Sequence, residues 1–336
     1  MTRDGAAVAS TVAVKLGLGG DATRAFDRRR YVAPVLVLGA VIALLVVGGI
    51  TTPAFLGWDN IQVIIRAASI TGIIALGMTF ITLSGNFFSL SVAQTASLTA
   101  ILFAFAMRDG WPLAAALVAA LLASIVIGAV QGGVVALGVN PIVTTLGAGG
   151  ALYGFAAWIT NNEIISFKTG SGVWVGQGRP LGIPTQSWAF VILTVVGIIV
   201  LRKTRFGRQV MLVGANRNTA RAAGVRIGQV TLAAFVLSSL AAGIAGIFVA
   251  SQIRQGIVTQ FNGAEFEAIA AILVGGTAVQ GGQGSLLRTA IGTLFIGLLT
   301  NFMVLRNYTY GVRTLVVGAV VVIAVSLFHV LRTRTS

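Results

Sequence analysis

The chain has 336 residues, of which 56% are hydrophobic and 9% charged, and its mean hydropathy is +0.94. A soluble domain carries about 25% charged residues, so these values exclude one and point to an all-α integral membrane protein with lipid as its solvent. The net charge of +15 does not argue for nucleic acid, because the cations flank apolar runs and the aromatics lie inside them; the lack of cysteine excludes disulfides and thiolate metal sites.

Residues 1–30 are mixed in character and end in Arg28, Arg29 and Arg30. They show no small-residue cleavage site of a signal peptide and read as a cytoplasmic tail, leaving 31–336 as a single membrane domain. Charges then punctuate the chain. The stretch 31–58 has length for one span, 67–107 for two and 110–162 for two, at about 20 residues per crossing. Single spans fit 180–201, 227–253, 268–287, 289–305 and 314–331, which makes ten, with both termini on one side. The weakest is 268–287, where Gly275, Gly276, Gly281, Gly282 and Gly284 disfavour a straight helix. Glycines within spans, such as Gly128 and Gly132, suit close helix packing in lipid. The long loop from Asn161 to Ser187, rich in Gly and Pro, is expected to hold a small ordered element. His329, the single histidine, reads as an interfacial side chain.

Between the sixth and seventh spans lies the most basic stretch, 202–228, with Arg202, Lys203, Arg205, Arg208, Arg217, Arg221 and Arg226 and no acid. Lys and Arg near span ends resist translocation, which puts this loop and both termini in the cytoplasm. With that orientation 16 of the 23 cations are cytoplasmic. The loop has the signals of a short helix: Asn216 to cap its first turn, Arg217 to Ala223 to continue it, and Gly224 to supply a left-handed stop.

No GxxxxGK[ST], HExxH, paired-cysteine or nucleophile-elbow pattern occurs, so nucleotide hydrolysis and enzyme chemistry by this chain are not expected. The acids Asp59, Asp109, Glu163, Glu265 and Glu267 fall in outer loops or at span edges, which gives no support to a charge relay through the bundle. The main internal polar cluster is Ser84-Gly85-Asn86-Phe87-Phe88-Ser89-Leu90-Ser91-Val92-Ala93-Gln94-Thr95. It reads equally as a helix break lining a cavity for a hydroxylated or amide-bearing solute, or as the polar turn between spans two and three.

Taken together, several fragments carry a family likeness. They are Gly77-Met78-Thr79-Phe80, the Leu90-Ser91-Val92 core, Asn140 to Gly147, Gly207-Arg208-Gln209 with Val213 to Arg217, and Glu265 to Ala271 followed by Gly275-Gly276-Thr277 and Gly281 to Ser285. In order and spacing, from about residue 60 to the end, they resemble the permease subunits of ribose-type sugar ABC importers, a family that also includes branched-chain amino-acid permeases. The resemblance implies about ten helices, a bacterial inner-membrane location, a second permease that is identical or homologous, and an extracytoplasmic solute-binding protein. It also implies a cytoplasmic ATPase that hydrolyses the ATP, with no cofactor bound by this chain.

On that resemblance Asn216, Arg217, Thr219, Arg221 and Gly224 belong to a coupling helix that docks in the ATPase. Asn86, Phe87, Phe88, Ser89, Ser91 and Gln94 become the expected solute pathway or gate. Glu265 and Glu267 keep the family's paired acidic positions, expected to contact the binding protein or a cation such as Arg254, or else to favour a helix start. Arg66 follows the family pattern near the start of the second span, where it reads first as an interfacial anchor and second as a pathway residue. One departure stands out. Family members commonly read Gly-Gly-Ile-Asp-Leu-Ser-Val-Gly where this chain has Asn86 to Ala93, so the usual acid is Ser89 and two glycines are Asn86 and Phe87. The expected solute is a monosaccharide. The alternatives are a nucleoside or branched-chain amino-acid importer, or a stand-alone secondary carrier that works without an ATPase.

Overall fold

Long charge-free runs leave the backbone no partner in lipid but itself, and the chain answers with helices. The computed structural model describes residues 37–168 and 170–333. The tail 1–30, with Arg28 to Arg30, lies outside them, and so does the side chain of His329. The helices in order are α1 (Val37–Thr51), α2 (Trp58–Leu83), α3 (Val92–Arg108), α4 (Leu113–Ala136) and α5 (Pro141–Thr160). After these come α6 (Ser171–Gln177), α7 (Thr185–Lys203), α8 (Arg205–Ala215), α9 (Arg217–Ala222), α10 (Ile227–Ile253), α11 (Ala264–Val274), α12 (Leu286–Leu305) and α13 (Tyr310–Thr333). Six of them, α2, α4, α5, α7, α10 and α12, are long and apolar enough to cross a membrane. The chain is an all-α, multi-pass membrane protein.

Local chemistry sets several boundaries. Asn140 caps α5 by accepting from the amides of Ile142 (2.9 Å) and Val143 (3.4 Å), with Pro141 at the first helical position, where its missing N–H is no loss. Arg226 and Arg254 bracket α10, whose 27 residues coincide with the expected span 227–253. The expected span 268–287 is different. α11 ends at Val274 after 11 residues, and the chain runs as a loop through 275–285 with positive φ at Gly276, Gly281 and Gly282. The glycines that disfavour a straight helix here are among those that unwind it, a feature that apolar content alone does not register.

The centre of the bundle is α2, α12 and α10. In the spanning windows 72% of α2, 56% of α12 and 50% of α10 are buried, against 22%, 17% and 22% for α4, α5 and α7, which form the periphery. α10 packs along α4, α2 and α3, while α12 packs on α2 and α11. Where α4 crosses α10 the approach is backbone-close: a Cβ on Gly128 would lie 2.8 Å from the Phe235 carbonyl oxygen, and one on Gly132 2.9 Å from the Leu232 Cα. Such contact supplies the dispersion that holds helices together where burial from water gives no preference.

Small polar side chains add interhelical bonds, at about 0.6 kcal/mol each on average in lipid. Thr79 of α2 meets Thr289 of α12 (3.1 Å), and Asn60 and Asn301 exchange amide hydrogen bonds (2.9 and 3.0 Å). The loop from Asn161 to Ser187 does hold an ordered element. Its strand β1 (Ile165–Ser166) pairs antiparallel with β2 (Gln255–Gly256), and α6 is bonded to the end of α10 through Gly176 N–H to Ser251 Oγ (2.6 Å).

Candidate functional site

The site builds up at the end of the bundle where α2 finishes and α10 begins. α2 stops at Leu83 and α3 starts at Val92, so residues 84–91 form a non-helical break between two buried helices. Its hydroxyls and amide point inward and are paired. Ser84 Oγ donates to the Ile81 carbonyl (2.7 Å), and Asn86 Nδ2 donates to Ser84 Oγ (2.9 Å) and Thr231 Oγ1 of α10 (3.3 Å). Ser89 and Ser91 share a hydrogen bond (3.1 Å), and Ser91 Oγ donates to Gln131 Oε1 of α4 (2.7 Å). Ser84, Asn86, Ser89 and Ser91 are all buried.

Phe87 is the exception. Its φ of 57° is left-handed, unusual for a non-glycine residue, and its ring is exposed. Phe88 and Gln94 are half-buried. The Oε1 of Gln94 and the Nε2 of Gln131 are buried without a hydrogen-bond partner among the described residues. Gln131 and Thr231 were not among the expected site residues. The available signal was that Gln131 is the one amide in the apolar run 113–136, and polar groups in such runs act as interhelical glue or as lining.

The basic loop is two helices, not one. Thr204 caps α8 by accepting from the Gly207 amide (3.1 Å), and α8 turns Val210 and Val213 inward while Arg205 and Arg208 stay exposed. Val210, Val213 and Ala220 form a small core with Leu83 and Val230, which seats the pair of helices on the ends of α2 and α10. Asn216 separates them and caps α9, accepting from the amides of Asn218 (2.9 Å) and Thr219 (3.0 Å). α9 closes at Ala223, and Gly224 comes next at φ 77°. Arg202, Lys203, Arg205, Arg208, Arg217, Thr219, Arg221 and Arg226 are exposed. The element is therefore anchored from beneath and cationic on its outer face.

The 84–91 break and the basic element are in direct contact. Arg217 donates through Nη2 to the Gly85 carbonyl (3.5 Å) and to Asn86 Oδ1. A third segment, the 275–285 loop, joins them: Gly282 N–H donates to the Leu83 carbonyl (3.0 Å), and a Cβ on Gly281 would come within 2.7 Å of the Gly85 backbone. Gly214, in the last turn of α8, is pressed so close to Leu83 and Gly282 that any Cβ there would overlap the Leu83 carbonyl oxygen. Two groups of residues expected to serve different purposes, the polar break and the basic helix, thus form one junction.

Glu265 and Glu267 lie at the opposite end, in the first turn of α11. Glu267 accepts from Thr71 Oγ1 of α2 (3.1 Å). It lines a small cavity with Gly263, Phe266, Thr300, Tyr310, Arg313 and Thr314. The cation beside it is Arg313 of α13 and not Arg254, which ends α10 in a left-handed conformation at φ 58°. Arg66 is on α2, with its Nε buried and unpaired among the described residues.

Residues 60–325 match the family described as branched-chain amino acid transport system / permease component. Among similar proteins, a probable ABC transporter permease protein, YphD, of Escherichia coli (strain K12) is 33% identical over 316 residues, 91% of this chain and 92% of the relative. The ribose import permease protein RbsC of the same strain is 31% identical over 313 residues, 90% of this chain and 97% of the relative. The L-arabinose transport system permease protein AraH is 32% identical over 293 residues, 86% of this chain and 88% of the relative. No solved structure matches the chain.

Proposed function

The chain belongs to this family of transport-system permease components, and from that premise we propose that it is the transmembrane permease subunit of an ATP-binding-cassette importer for a monosaccharide, working in a bacterial inner membrane by alternating access. The relatives named for ribose and arabinose cover nine-tenths of its length or close to it, and they supply the solute class. The observation that carries the mechanism is the contact between an exposed basic element and the break in the buried helices, through Arg217, Gly85 and Asn86.

In this reading the domain 31–336 inserts ten segments: the six long helices together with α1, α3, α11 and α13. α3 and α11 are short because a loop enters the bundle beside each. The seven exposed cations of 202–226 set the Leu83 end in the cytoplasm, and both termini with it. A cytoplasmic ATPase docks on α9, contacting Thr219 and Arg221, with Asn216 and Gly224 fixing the ends of that helix. It hydrolyses the ATP, and this chain binds no cofactor.

A second permease, identical or homologous, completes the path, and a solute-binding protein delivers the sugar at the α11 end near Glu265 and Glu267. Asn86, Phe87, Phe88, Ser89, Ser91 and Gln94 line or gate the pathway. Ser89 in place of the family's usual acid leaves a hydroxyl pair, Ser89 with Ser91, able to donate or accept toward a polyol. A branched-chain amino acid is the second reading, favoured by the description of the matching family.

Purification of the tagged chain from its native membranes, with the co-purifying proteins identified and ATP hydrolysis assayed, tests this. A P-loop ATPase and a soluble binding protein are expected, and calorimetry on that binding protein separates sugar from amino acid. A chain recovered alone in several detergents, with uptake independent of nucleotide, would make it a secondary carrier.

A further inference from the structure

We propose that Arg217 and Asn86 form a latch through which movement of the ATPase-docking helix is delivered to the break between α2 and α3; Arg217 is a positioning residue that acts through Asn86. The inference rests on the importer reading and adds to it how the docking helix reaches the pathway.

Three features carry it. The first is rigidity on the docking side. α9 is only six residues long, but its start is fixed by the Asn216 cap and its underside by the fully buried Ala220, so the Arg217 backbone moves with α8 and α9 as one piece. Among the described residues, Arg217 is the one cation of the seven whose guanidinium reaches the break.

The second is the use of Asn86. The side chain is buried, and both ends of its amide are committed: Oδ1 accepts from Arg217, while Nδ2 donates to Ser84 Oγ and Thr231 Oγ1. One amide therefore ties α9, the break and α10 together. A glycine at this position, as the family pattern has it, offers no such link. In a buried setting an amide with every group satisfied specifies one arrangement, because any displacement of Arg217 leaves a buried acceptor unpaired.

The third is the neighbouring residue, Phe87. It is held left-handed at φ 57° with its ring outside the core, a conformation a bulky residue adopts only where its surroundings enforce it. The enforcing contacts are the latch on one side and the Gly281–Gly85 and Gly282–Leu83 approaches on the other. A pull on Arg217 acts at the residue next to this strained hinge. Relaxation of Phe87 toward an ordinary backbone conformation then reorients the segment that carries Ser89 and Ser91.

The test is a double-mutant cycle on the whole complex in proteoliposomes, with Arg217→Gln, Asn86→Ala and the pair together. Solute uptake and ATP hydrolysis are measured on the same preparation. Each single change is expected to raise the ATP hydrolysed per solute moved by about tenfold, the scale of one hydrogen bond to a charged group. The double variant is expected to be no worse than the worse single. Arg217→Lys, which keeps a donor, should restore part of the ratio.

A merely structural role would lower the amount of complex and leave the ratio unmoved, and that outcome overturns the latch. So do losses that multiply in the double variant, while nucleotide-driven uptake by the unmodified complex keeps the importer reading in place. If uptake by the unmodified chain proceeds without nucleotide, the importer reading fails, and the latch fails with it. Should Arg217→Gln not accumulate in the membrane, Arg217→Lys with Asn86→Ala carries the same cycle.

Discussion

The two ends of the bundle are held by different means. At the Leu83 end three segments meet backbone to backbone: Gly214 lies against Leu83, Gly281 against Gly85, and Gly282 bonds the Leu83 carbonyl. The polar side chains of the break are paired there. At the α11 end the contacts are made by long side chains around a cavity of about 30 Å³, lined by Glu267, Thr300, Tyr310 and Arg313. Glu265 Oε2, Thr300 Oγ1 and Arg313 Nε are buried there without a partner among the described residues. That space suits about two waters. Each end is therefore sensitive to a different kind of change. The first depends on atoms that cannot move without moving the chain, and the second on groups that can rehydrate or rotate.

The largest effect is therefore expected from Gly214→Val. Its Cβ overlaps the Leu83 carbonyl and its branch meets Gly282, so the junction must open. Overpacking costs about 1–3 kcal/mol, and with backbone on both sides this substitution falls at the upper end. Heating the detergent-solubilised variant and following its monodisperse fraction should show a markedly lower midpoint than the parent chain. An unchanged midpoint would mean that the backbone contact carries no stability, and the comparison would collapse. Gly224→Val sharpens the same point. Nothing lies within 4 Å of a Cβ there, so the cost is only the left-handed backbone, about 1–2 kcal/mol. Because α9 is exposed, the chain should fold and insert, while stimulation of the ATPase falls. Full stimulation in that variant would remove Gly224 from the coupling element.

Much of this architecture was legible in the residues. Arg226 and Arg254 mark α10, and Asn216 with Gly224 brackets α9, because caps and charges act locally and leave local marks. α11 was less legible. Its glycines warn against a straight helix, but which of them turn left-handed, namely Gly276, Gly281 and Gly282, is not marked in the sequence. The junction was not legible at all as a junction. Asn86 and Arg217 are 131 positions apart, and each reads separately as a polar turn and a basic helix; nothing periodic connects them. Gln131 escaped for a related reason: one amide in a long apolar helix is conspicuous, but its partner Ser91 is fixed only by the crossing of α3 and α4.

Smaller effects are expected at the α11 end. Glu267→Ala removes the acceptor of the Thr71 hydroxyl and the acid beside Arg313. One hydrogen bond to a charged group is worth about 1.5–3 kcal/mol, but water entering the cavity should offset part of the loss, so the thermal midpoint should fall by less than in Gly214→Val. Charge reversal at both Glu265 and Glu267 is expected to reduce binding-protein-dependent uptake while leaving ATP hydrolysis by the isolated complex in place. Uptake that does not respond would leave the pair a purely structural helix start.

The smallest effect should come from Thr300→Val, which keeps the shape of the side chain and removes a buried hydroxyl that has no partner among the described residues. Loss of an unpaired polar group removes a desolvation cost without breaking a bond, so the change should lie within about 0.5 kcal/mol of neutral, on the stabilising side. Thermal midpoints of the two proteins in the same detergent measure it. A substantial destabilisation would mean that the hydroxyl is bonded through water in the membrane. The cavity would then be held together by a hydrated network as exacting as the loop junction at the other end, and the contrast between the two ends would be one of chemistry only, with their sensitivities alike.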